Sequence, residues 1–394
     1  MKVKFLIIFL LMYCFLAKPT DASVNKLSNN AKISLLTCGP GDAVYSKFGH
    51  SALWVFDPLT GTDRVYNYGT FDFYSNRFYI EFIRGTALYR LSITNFMGFQ
   101  AEYVSENRSI VEQELNLTPA EKQTLYEKLE DNYKPENRYY RYDFLFQNCS
   151  SLIRDIVWEV TGNRFKIPEE SPEDHTYRSM MVPYLEDQPW LMDAIFILLG
   201  YGTDEEADPW NQMYLPDYMF DWFDAATNAG GESLVSKTRT LFLPIEKDDS
   251  GNFLFQPVII LSLILLLLIA LTFFGVRLRK DYRILDSLIF LVTGLTGTLL
   301  FYMWMDSLHT VTHKNLNLVW AFPLHFIIAI IIWIKKLYPL IRIYAMVMAP
   351  FSILFLCLFW LLPQSIPPTA VLASAIISVL LVKWGYLNKI KDAR

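Results

Sequence analysis

The sequence predicts an α+β exported domain followed by an all-α membrane domain of five transmembrane helices. The first observation behind this prediction is composition, because 53% of the residues are hydrophobic and only 19% are charged. That is too apolar for an ordinary soluble protein. The second is distribution, because long apolar runs begin at Phe253, whereas the residues before it alternate between strand-like and helix-like patterns.

The overall charge argues against one class of function. The formal net charge is −5 at pH 7, and no stripe of lysine and arginine interleaved with aromatic residues is present. Nucleic-acid binding requires such a basic surface. We therefore expect no nucleic-acid partner.

Residues 1–22 have the pattern of a secretory signal peptide. A basic start is followed by an apolar stretch from Phe5 to Ala17 and by small residues near Ala22, where we expect cleavage. An uncleaved membrane anchor is the alternative interpretation.

The predicted membrane domain occupies residues 253–394. About 20 apolar residues cross the ~30 Å hydrocarbon core of a bilayer. The third of the candidate spans is the shortest. The five candidate spans are residues 253–276, 284–304, 318–334, 340–362 and 366–384.

Loop charges predict the orientation of these spans, because cytoplasmic loops are enriched in lysine and arginine. The loops 305–317 and 363–365 carry only Lys314. With an odd number of spans, residues 23–252 then face away from the cytoplasm, as a cleaved signal peptide requires. The basic residues after the first, third and fifth spans are Arg277, Arg279, Lys280, Arg283, Lys335, Lys336, Arg342, Lys383, Lys389, Lys391 and Arg394.

The strands of the exported domain, residues 23–250, are predicted from alternating apolar patterns. "AKISLLTCG" is one strand, and "RSIVEQELNL" is another. "SALWVFDPLTGTDRVYNYGTF" is predicted to form a hairpin that turns between Pro58 and Thr62.

Two helices of this domain have recognisable ends. In "LTPAEKQTLYEKLEDNY", Thr118 suits the N-cap, Pro119 the first helical position, and Glu121 completes a capping box. "SSLIRDIVWEVTG" has one apolar face and ends at Gly162. The stretch 165–250 is rich in proline and acidic residues, and we expect a helical extension near the membrane, with "IEKDDSGN" leading into the spans.

Cys149 is the candidate nucleophile of the chain. It follows Asn148 and opens a predicted helix, where free N–H groups and the helix dipole favour a thiolate. His50, at the start of a predicted strand, is the candidate base. Asn67, on the return strand of the hairpin, is placed to orient the imidazole as the third member of a triad does.

Residue types alone leave other interpretations open. A cysteine at a helix start is often a small buried residue, and a histidine on a strand is often a core residue. After removal of the signal peptide, Cys38 and Cys149 are the only cysteines of the exported domain, so a structural disulfide between them is a further alternative.

Several motifs together resemble known families. "GHSALWV", "RVYN" and "NCSSLI" resemble the circularly permuted branch of the papain-like NlpC/P60 superfamily, to which relatives of lecithin:retinol acyltransferase belong. There the histidine strand precedes the cysteine helix, and a second polar residue stands where Asn67 does. The closer similarity is to the Lnb lipoprotein N-acyltransferases, whose catalytic domain also precedes five spans. It is carried by "CGPGDAVYSKFGHSA", "YNYGTFDF", "FIRGTALYRL", "ENRSIVEQELNLT" and "YRYDFLFQNCSSLIRD".

The resemblance implies acyl transfer in the outer leaflet of the cell inner membrane by a periplasmic catalytic domain. Cys149 would take an acyl chain from a membrane phospholipid as a thioester. The α-amine of a diacylglyceryl-cysteine lipoprotein would then accept the chain and become triacylated. His50 would act as base and then acid, and N–H groups at the helix start would stabilise the oxyanion. No cofactor is implied.

Two other functions remain open from the sequence. One is a papain-like cysteine peptidase or amidase acting on cell-envelope peptides. The other is a non-catalytic membrane scaffold with the Cys38–Cys149 disulfide.

The outward loop 305–317 holds a second group of polar residues. His309 and His313 are four residues apart, a metal-ligand spacing on a helix, but no H-E-x-x-H acid accompanies them, so we expect no metal site. Ordinary polarity at a membrane surface explains such residues. The hypothesis that deserves a test is that they bind a lipid headgroup or the acceptor.

Overall fold

The computed structural model describes residues 25–71, 77–162, 164–245, 255–278 and 282–387. The predicted signal peptide, residues 1–22, lies outside these ranges, as does most of the predicted linker. Within them, an N-terminal α/β domain is followed by a helical membrane domain, in the order that the sequence predicts.

The N-terminal domain is built on a seven-stranded antiparallel sheet. Its strand order is β6-β4-β3-β2-β1-β5-β9, and the first hairpin turns between Asp57 and Thr62, as predicted. Strands β7 (Phe165–Lys166) and β8 (Thr227–Asn228) form a separate small sheet. The strands of the main sheet are β1 (Lys32–Cys38), β2 (His50–Asp57), β3 (Thr62–Thr70), β4 (Leu88–Thr94), β5 (Ile110–Leu115), β6 (Tyr139–Arg141) and β9 (Val235–Phe242).

Apolar side chains cover the centre of this sheet on both faces. Ile33 and Leu35 of β1 contribute to a large core, whereas Leu36 and Cys38 contribute to a smaller one, because successive side chains of a strand point to opposite faces. The helices of this domain are α1 (Phe78–Arg84), α2 (Phe96–Ser105), α3 (Pro119–Tyr133), α4 (Cys149–Thr161), α5 (Tyr177–Met181), α6 (Pro189–Leu198), α7 (Pro209–Gln212) and α8 (Pro216–Ala225).

The two predicted helices are confirmed together with their ends. Thr118 and Glu121 form the capping box at the start of α3. Helix α4 ends at Gly162, which adopts a left-handed conformation with φ of 60°.

The residues after 164, which the sequence predicted as a helical extension, also contribute a strand to the main sheet and side chains to its core. Strand β9 pairs with β5 and forms one edge of the main sheet, and Met219 and Phe223 of α8 are fully buried in the larger core. The sequence does not predict β9 because its side chains are mostly exposed, so it lacks an alternating apolar pattern.

The membrane domain contains four described helices that are long and apolar enough to cross a bilayer. The third predicted span, 318–334, contains only the seven-residue helix α11 (His325–Ile331), so the predicted count of five transmembrane helices is not confirmed. The other helices of this domain are α9 (Pro257–Leu278), α10 (Arg283–Met305), α12 (Tyr338–Leu358) and α13 (Pro368–Val382).

Residues 316–334 run antiparallel along α10, although the helices within them are short, namely the 3-10 helix Leu316–Val319 and α11. Near the C-terminal end of α10, a Cβ on Gly297 would lie 1.8 Å from the Ala321 carbonyl oxygen, so only glycine permits this approach. Near its N-terminal end, the Ser287 hydroxyl donates to the Ala329 carbonyl oxygen at 2.8 Å. The segment therefore runs beside α10 at least from Gly297 to Ser287.

The two domains are in direct contact through the loop after α10. The Ser307 hydroxyl donates to the Ile83 carbonyl oxygen at 2.7 Å, and the Leu308 N–H donates to the Arg84 carbonyl oxygen at 2.9 Å. A second contact joins α6 to the membrane domain, because Asn315 donates to the carbonyl oxygen of Leu198 at 3.0 Å. The N-terminal domain is thereby held against one end of the membrane domain.

Candidate active site

Cys149 is the first residue of α4, and its position is set by the residue before it. The Asn148 side-chain oxygen accepts hydrogen bonds from the N–H groups of Ser150 and Ser151, each at 2.9 Å. Asparagine is a favoured N-cap because its short side chain satisfies N–H groups that have no partner within the helix. The cap fixes where the helix starts and therefore where the thiol stands.

The Asn148 amide also fastens this helix start to the rest of the domain. Its Nδ2 donates to the carbonyl oxygens of Phe144 at 2.7 Å and Tyr214 at 2.8 Å, and the side chain is buried. Removal of the Asn148 side chain would therefore remove the cap and take this hydrogen-bond donor away from both carbonyl groups.

Asn148→Ala is therefore expected to reduce the free energy of unfolding by about 1–3 kcal/mol. It should also slow alkylation of Cys149, because the thiol loses its fixed position. Thr118→Ala is the matched control, since it removes the capping box of α3, and we expect a cost of about 1 kcal/mol with unchanged thiol reactivity. Thermal unfolding and the iodoacetamide rate measure the two effects, and equal alkylation rates in the two variants would contradict the expectation.

His50 lies at the start of β2, beside the N-terminal end of α4. Its Nε2 lies 3.4 Å from Asn67 Oδ1 on β3, and its charge and a hydrogen bond to the Cys149 thiol lower the pKa of that thiol. Directly before it, Gly49 has a φ of 75°, and a Cβ there would lie 2.7 Å from the Cys38 carbonyl oxygen. The structure thus brings together the three residues that the sequence predicted to cooperate.

A buried pair of hydroxyls joins the histidine strand to the cysteine helix. Ser51 Oγ and Ser150 Oγ lie 3.0 Å apart, and both side chains are fully buried. Each follows directly after one member of the pair His50 and Cys149 in the chain. The hydrogen bond therefore fixes the separation of the imidazole and the thiol.

The environment of Cys149 favours its thiolate. Burial alone raises the pKa of the thiol, but the charge and hydrogen bond of His50, the N–H of Ser51 and the hydroxyl of Ser150 outweigh it. The pKa of Cys149 consequently lies below the ordinary value for a cysteine. As a whole residue, Cys149 is partly exposed, in contrast to the buried residues Asn148 and Ser150 on either side of it.

Cys38 differs from Cys149 in its burial and in the direction in which its pKa is shifted. It lies opposite His50 on β1 and is fully buried, and burial raises the pKa of its thiol. Both cysteines are free thiols in the structure, so the alternative of a Cys38–Cys149 disulfide is not observed.

Tyr103 is a neighbour of the site that the sequence did not reveal. Its ring stacks with the His50 imidazole at a centroid distance of 6.3 Å and an angle of 14°, and the Arg108 guanidinium lies 4.5 Å from the centroid of the same ring. No local signal marks Tyr103, because it lies on α2 and reaches the site only through the packing of that helix on the sheet. Ser51 and Ser150 have a simple signal, namely adjacency to the predicted pair.

The structure places His309 and His313 at the boundary between the domains. His309 Nε2 donates to the Phe82 carbonyl oxygen at 2.5 Å, and His313 Nε2 donates to the Ser307 carbonyl oxygen at 3.0 Å. In these contacts both imidazole rings therefore bind backbone carbonyl oxygens, and neither contact is with His50. Across the described ranges, no group of three or more histidine, cysteine, aspartate or glutamate residues is placed to hold a metal ion.

The same loop reaches the turn that precedes the nucleophile. The Thr310 hydroxyl donates to Asp143 Oδ2 at 3.3 Å. Asp143 Oδ1 in turn accepts the N–H groups of Leu145 and Phe146, each at 3.0 Å, which shapes the turn leading to Cys149. A chain of contacts therefore connects the membrane domain to the candidate nucleophile.

Comparison with protein families gives two matches that follow each other along the chain. Residues 23–181 match the Lnb N-terminal periplasmic domain, and residues 248–392 match the Lnb transmembrane domain. The first match contains all three residues of the Cys–His–Asn arrangement. No curated protein and no solved structure matches the chain.

Proposed function

Because the chain belongs to the Lnb family in both of its domains, we propose that it is a lipoprotein N-acyltransferase. Family membership makes it a multi-pass inner-membrane protein with its N-terminal domain in the periplasm. The observation that carries the proposed chemistry is the contact between a thiol of lowered pKa and an imidazole, in a domain seated on the membrane.

The first half-reaction loads the enzyme. Cys149 Sγ attacks an acyl ester carbonyl of a phospholipid, and a C–S bond forms as the ester C–O bond breaks. His50, which has taken the thiol proton, returns it to the leaving glycerol oxygen. The products are a thioester on Cys149 and a lysophospholipid.

The second half-reaction transfers the chain. The free α-amine of a diacylglyceryl-cysteine lipoprotein attacks the thioester, an amide C–N bond forms and the C–S bond breaks. His50 accepts a proton from the amine and returns it to the sulfur. An amine suits this step because it attacks thioesters readily once water is excluded.

Oxyanion stabilisation is assigned to one N–H group in particular. The Asn148 side chain occupies the N–H groups of Ser150 and Ser151, whereas no hydrogen bond within the described part of the chain occupies the Cys149 N–H. That N–H stands at the positive end of the α4 dipole and directly at the reacting sulfur. We assign the Cys149 N–H as the donor to the oxyanion. This narrows the expectation from the sequence, which named the N–H groups at the helix start together.

We also propose that the N-terminal domain has the permuted papain-like arrangement. Three features support it: the histidine strand precedes the cysteine helix, the His50 imidazole interacts with the Cys149 thiol, and its Nε2 faces Asn67. For the membrane domain, we propose that residues 316–334 make a fifth crossing without a continuous helix, because they run beside the transmembrane helix α10 from Gly297 to Ser287.

The reaction can be tested with the purified full chain in two stages. Incubation with a phospholipid labelled in its acyl chains should give a protein-bound label that hydroxylamine removes. Addition of a synthetic diacylglyceryl-cysteine peptide should move that label onto the peptide, and mass spectrometry should show one added acyl group at its N-terminus. Peptide cleavage without acyl transfer would instead identify a peptidase.

His309 and His313 provide a test of whether the loop takes part in acceptor binding. If it does, His309→Ala and His313→Ala should slow transfer to the amine more than thioester formation. Single-turnover measurement of thioester and product separates the two steps. If both steps slow equally, the histidines act only by seating the domain through Phe82 and Ser307.

A further inference from the structure

We propose that helix α1 lies in the outer-leaflet surface of the bilayer and admits an acyl chain of a phospholipid toward Cys149. The contact surface is an apolar strip formed by Ile80, Phe82, Met305 and Leu308. The second half of this proposal rests on the proposed acyltransferase function, whereas the lipid contact itself does not.

The first argument is the height of α1 relative to the membrane. Its last residue, Arg84, is bonded to the outer end of span α10, because the Arg84 Nε donates to the Tyr302 hydroxyl at 3.1 Å and its carbonyl accepts the Leu308 N–H at 2.9 Å. Tyr302 lies in the last turn of that span. Tyrosines of this kind are enriched at the level of lipid headgroups, so α1 is held at the same level.

The second argument is the exposure of large apolar side chains. Ile80 is 57% exposed, Met305 66% and Leu308 49%, and Phe82 is 43% exposed while packing against the His309 ring. Leu308 lies directly beside the residue that ends α1, since a Cβ on Gly85 would be 3.0 Å from the Leu308 Cβ, and Met305 is one of the exposed apolar side chains of α10, so the exposed apolar surfaces of α1 and of the span adjoin. That continuity favours the bilayer as its partner, since burial of such side chains in lipid is favourable and their hydration is not.

The third argument is the connection from this strip to the nucleophile. Strand β4 begins four residues after α1, and its second residue, Tyr89, stacks on Tyr142 at a centroid distance of 4.5 Å. Tyr142 lies close enough to Cys149 for their charges to interact. In addition, the loop that carries Leu308 is bonded through Thr310 to Asp143, six residues before Cys149, at 3.3 Å. Both α1 and this loop thus connect through short contacts to the residues around the nucleophile, which is the basis for proposing that the acyl chain enters from this side.

Photo-crosslinking tests the lipid contact in the full chain without requiring catalysis. p-Benzoylphenylalanine in place of Ile80 should crosslink to labelled phospholipid in vesicles of phosphatidylethanolamine and phosphatidylglycerol. The matched control replaces Leu59, which is 70% exposed in the turn after β2, at the opposite end of that strand from His50. Absence of crosslinking at position 80, or equal crosslinking at both positions, would overturn the lipid contact.

Charge substitution tests the passage of the acyl chain. Ile80→Glu should slow thioester formation from bilayer phospholipid by about tenfold or more, while a short water-soluble acyl ester should load Cys149 at the parental rate. Leu59→Glu should affect neither donor. Equal loss with both donors would overturn the proposed path. Crosslinking at position 80 in a parent chain that forms no thioester would retain the lipid contact and reject the proposed function.

Discussion

Replacing Cys149 with alanine is expected to abolish both thioester formation and acyl transfer, while the chain still accumulates in the membrane. Alanine removes the sulfur that is proposed to carry the acyl group but keeps the cap that Asn148 provides for α4. Phospholipid donors have no second route to the amine, because the proposed reaction passes through the covalent intermediate. Hydroxylamine-sensitive label on the protein and mass spectrometry of the acceptor peptide measure the two losses.

Cys38→Ala is the matched control for this substitution. Cys38 is buried, its pKa is raised, and it lies on β1 away from any helix start, so we expect activity to be largely retained. Its cost should be a small loss of stability, about 1 kcal/mol, from the space left by the sulfur. An inactive Cys38→Ala together with an active Cys149→Ala would reverse the assignment of the nucleophile.

The parts of the fold that the sequence predicted are those specified by neighbouring residues. The capping box of Thr118 and Glu121 and the stop at Gly162 depend on side chains within a few positions of the helix ends. The hairpin between β2 and β3 likewise has a short turn and a strongly apolar first strand. The hairpin carries His50 and Asn67, and the predicted helix begins at Cys149. The sequence could therefore suggest that these three residues lie together.

The parts that were not predicted depend on contacts between residues far apart in the sequence. Strand β9 lies at the edge of the sheet and is held there by backbone pairing with β5. Backbone pairing places few constraints on residue type, so the sequence does not reveal this strand. Tyr103 reaches His50 only because α2 packs across the sheet.

The third predicted span shows the same limit in the membrane domain. Its composition is apolar enough for a helix, but Pro323 interrupts it, and the buried side chain of Asn315 donates to backbone carbonyl oxygens at the end of α6. These tertiary hydrogen bonds stabilise an irregular backbone that hydropathy alone does not distinguish from a helix.

His50→Ala is expected to lower acyl transfer by about a thousandfold or more, because it removes the group that moves protons in both half-reactions. Asn67→Ala should lower the rate of acyl transfer less, because the imidazole remains and only its contact with Asn67 Oδ1, at 3.4 Å from Nε2, is lost. Initial rates with saturating phospholipid and acceptor peptide give the comparison. Comparable losses in the two variants would mean that Asn67 does more than orient the ring.

The same two variants should differ in the pH dependence of Cys149 alkylation. His50 supplies both a charge and a hydrogen bond that lower the pKa of the thiol, whereas burial raises it. In His50→Ala the lowering contributions of the imidazole vanish and burial remains, so the inflection of the iodoacetamide rate should move to higher pH than in the parent. In Asn67→Ala it should stay below the ordinary range for cysteine, with Cys149→Ala as the blank for other thiols. An unchanged inflection in His50→Ala, together with near-normal acyl transfer, would refute the Cys–His mechanism, because neither the thiolate nor the proton transfers would then depend on the imidazole.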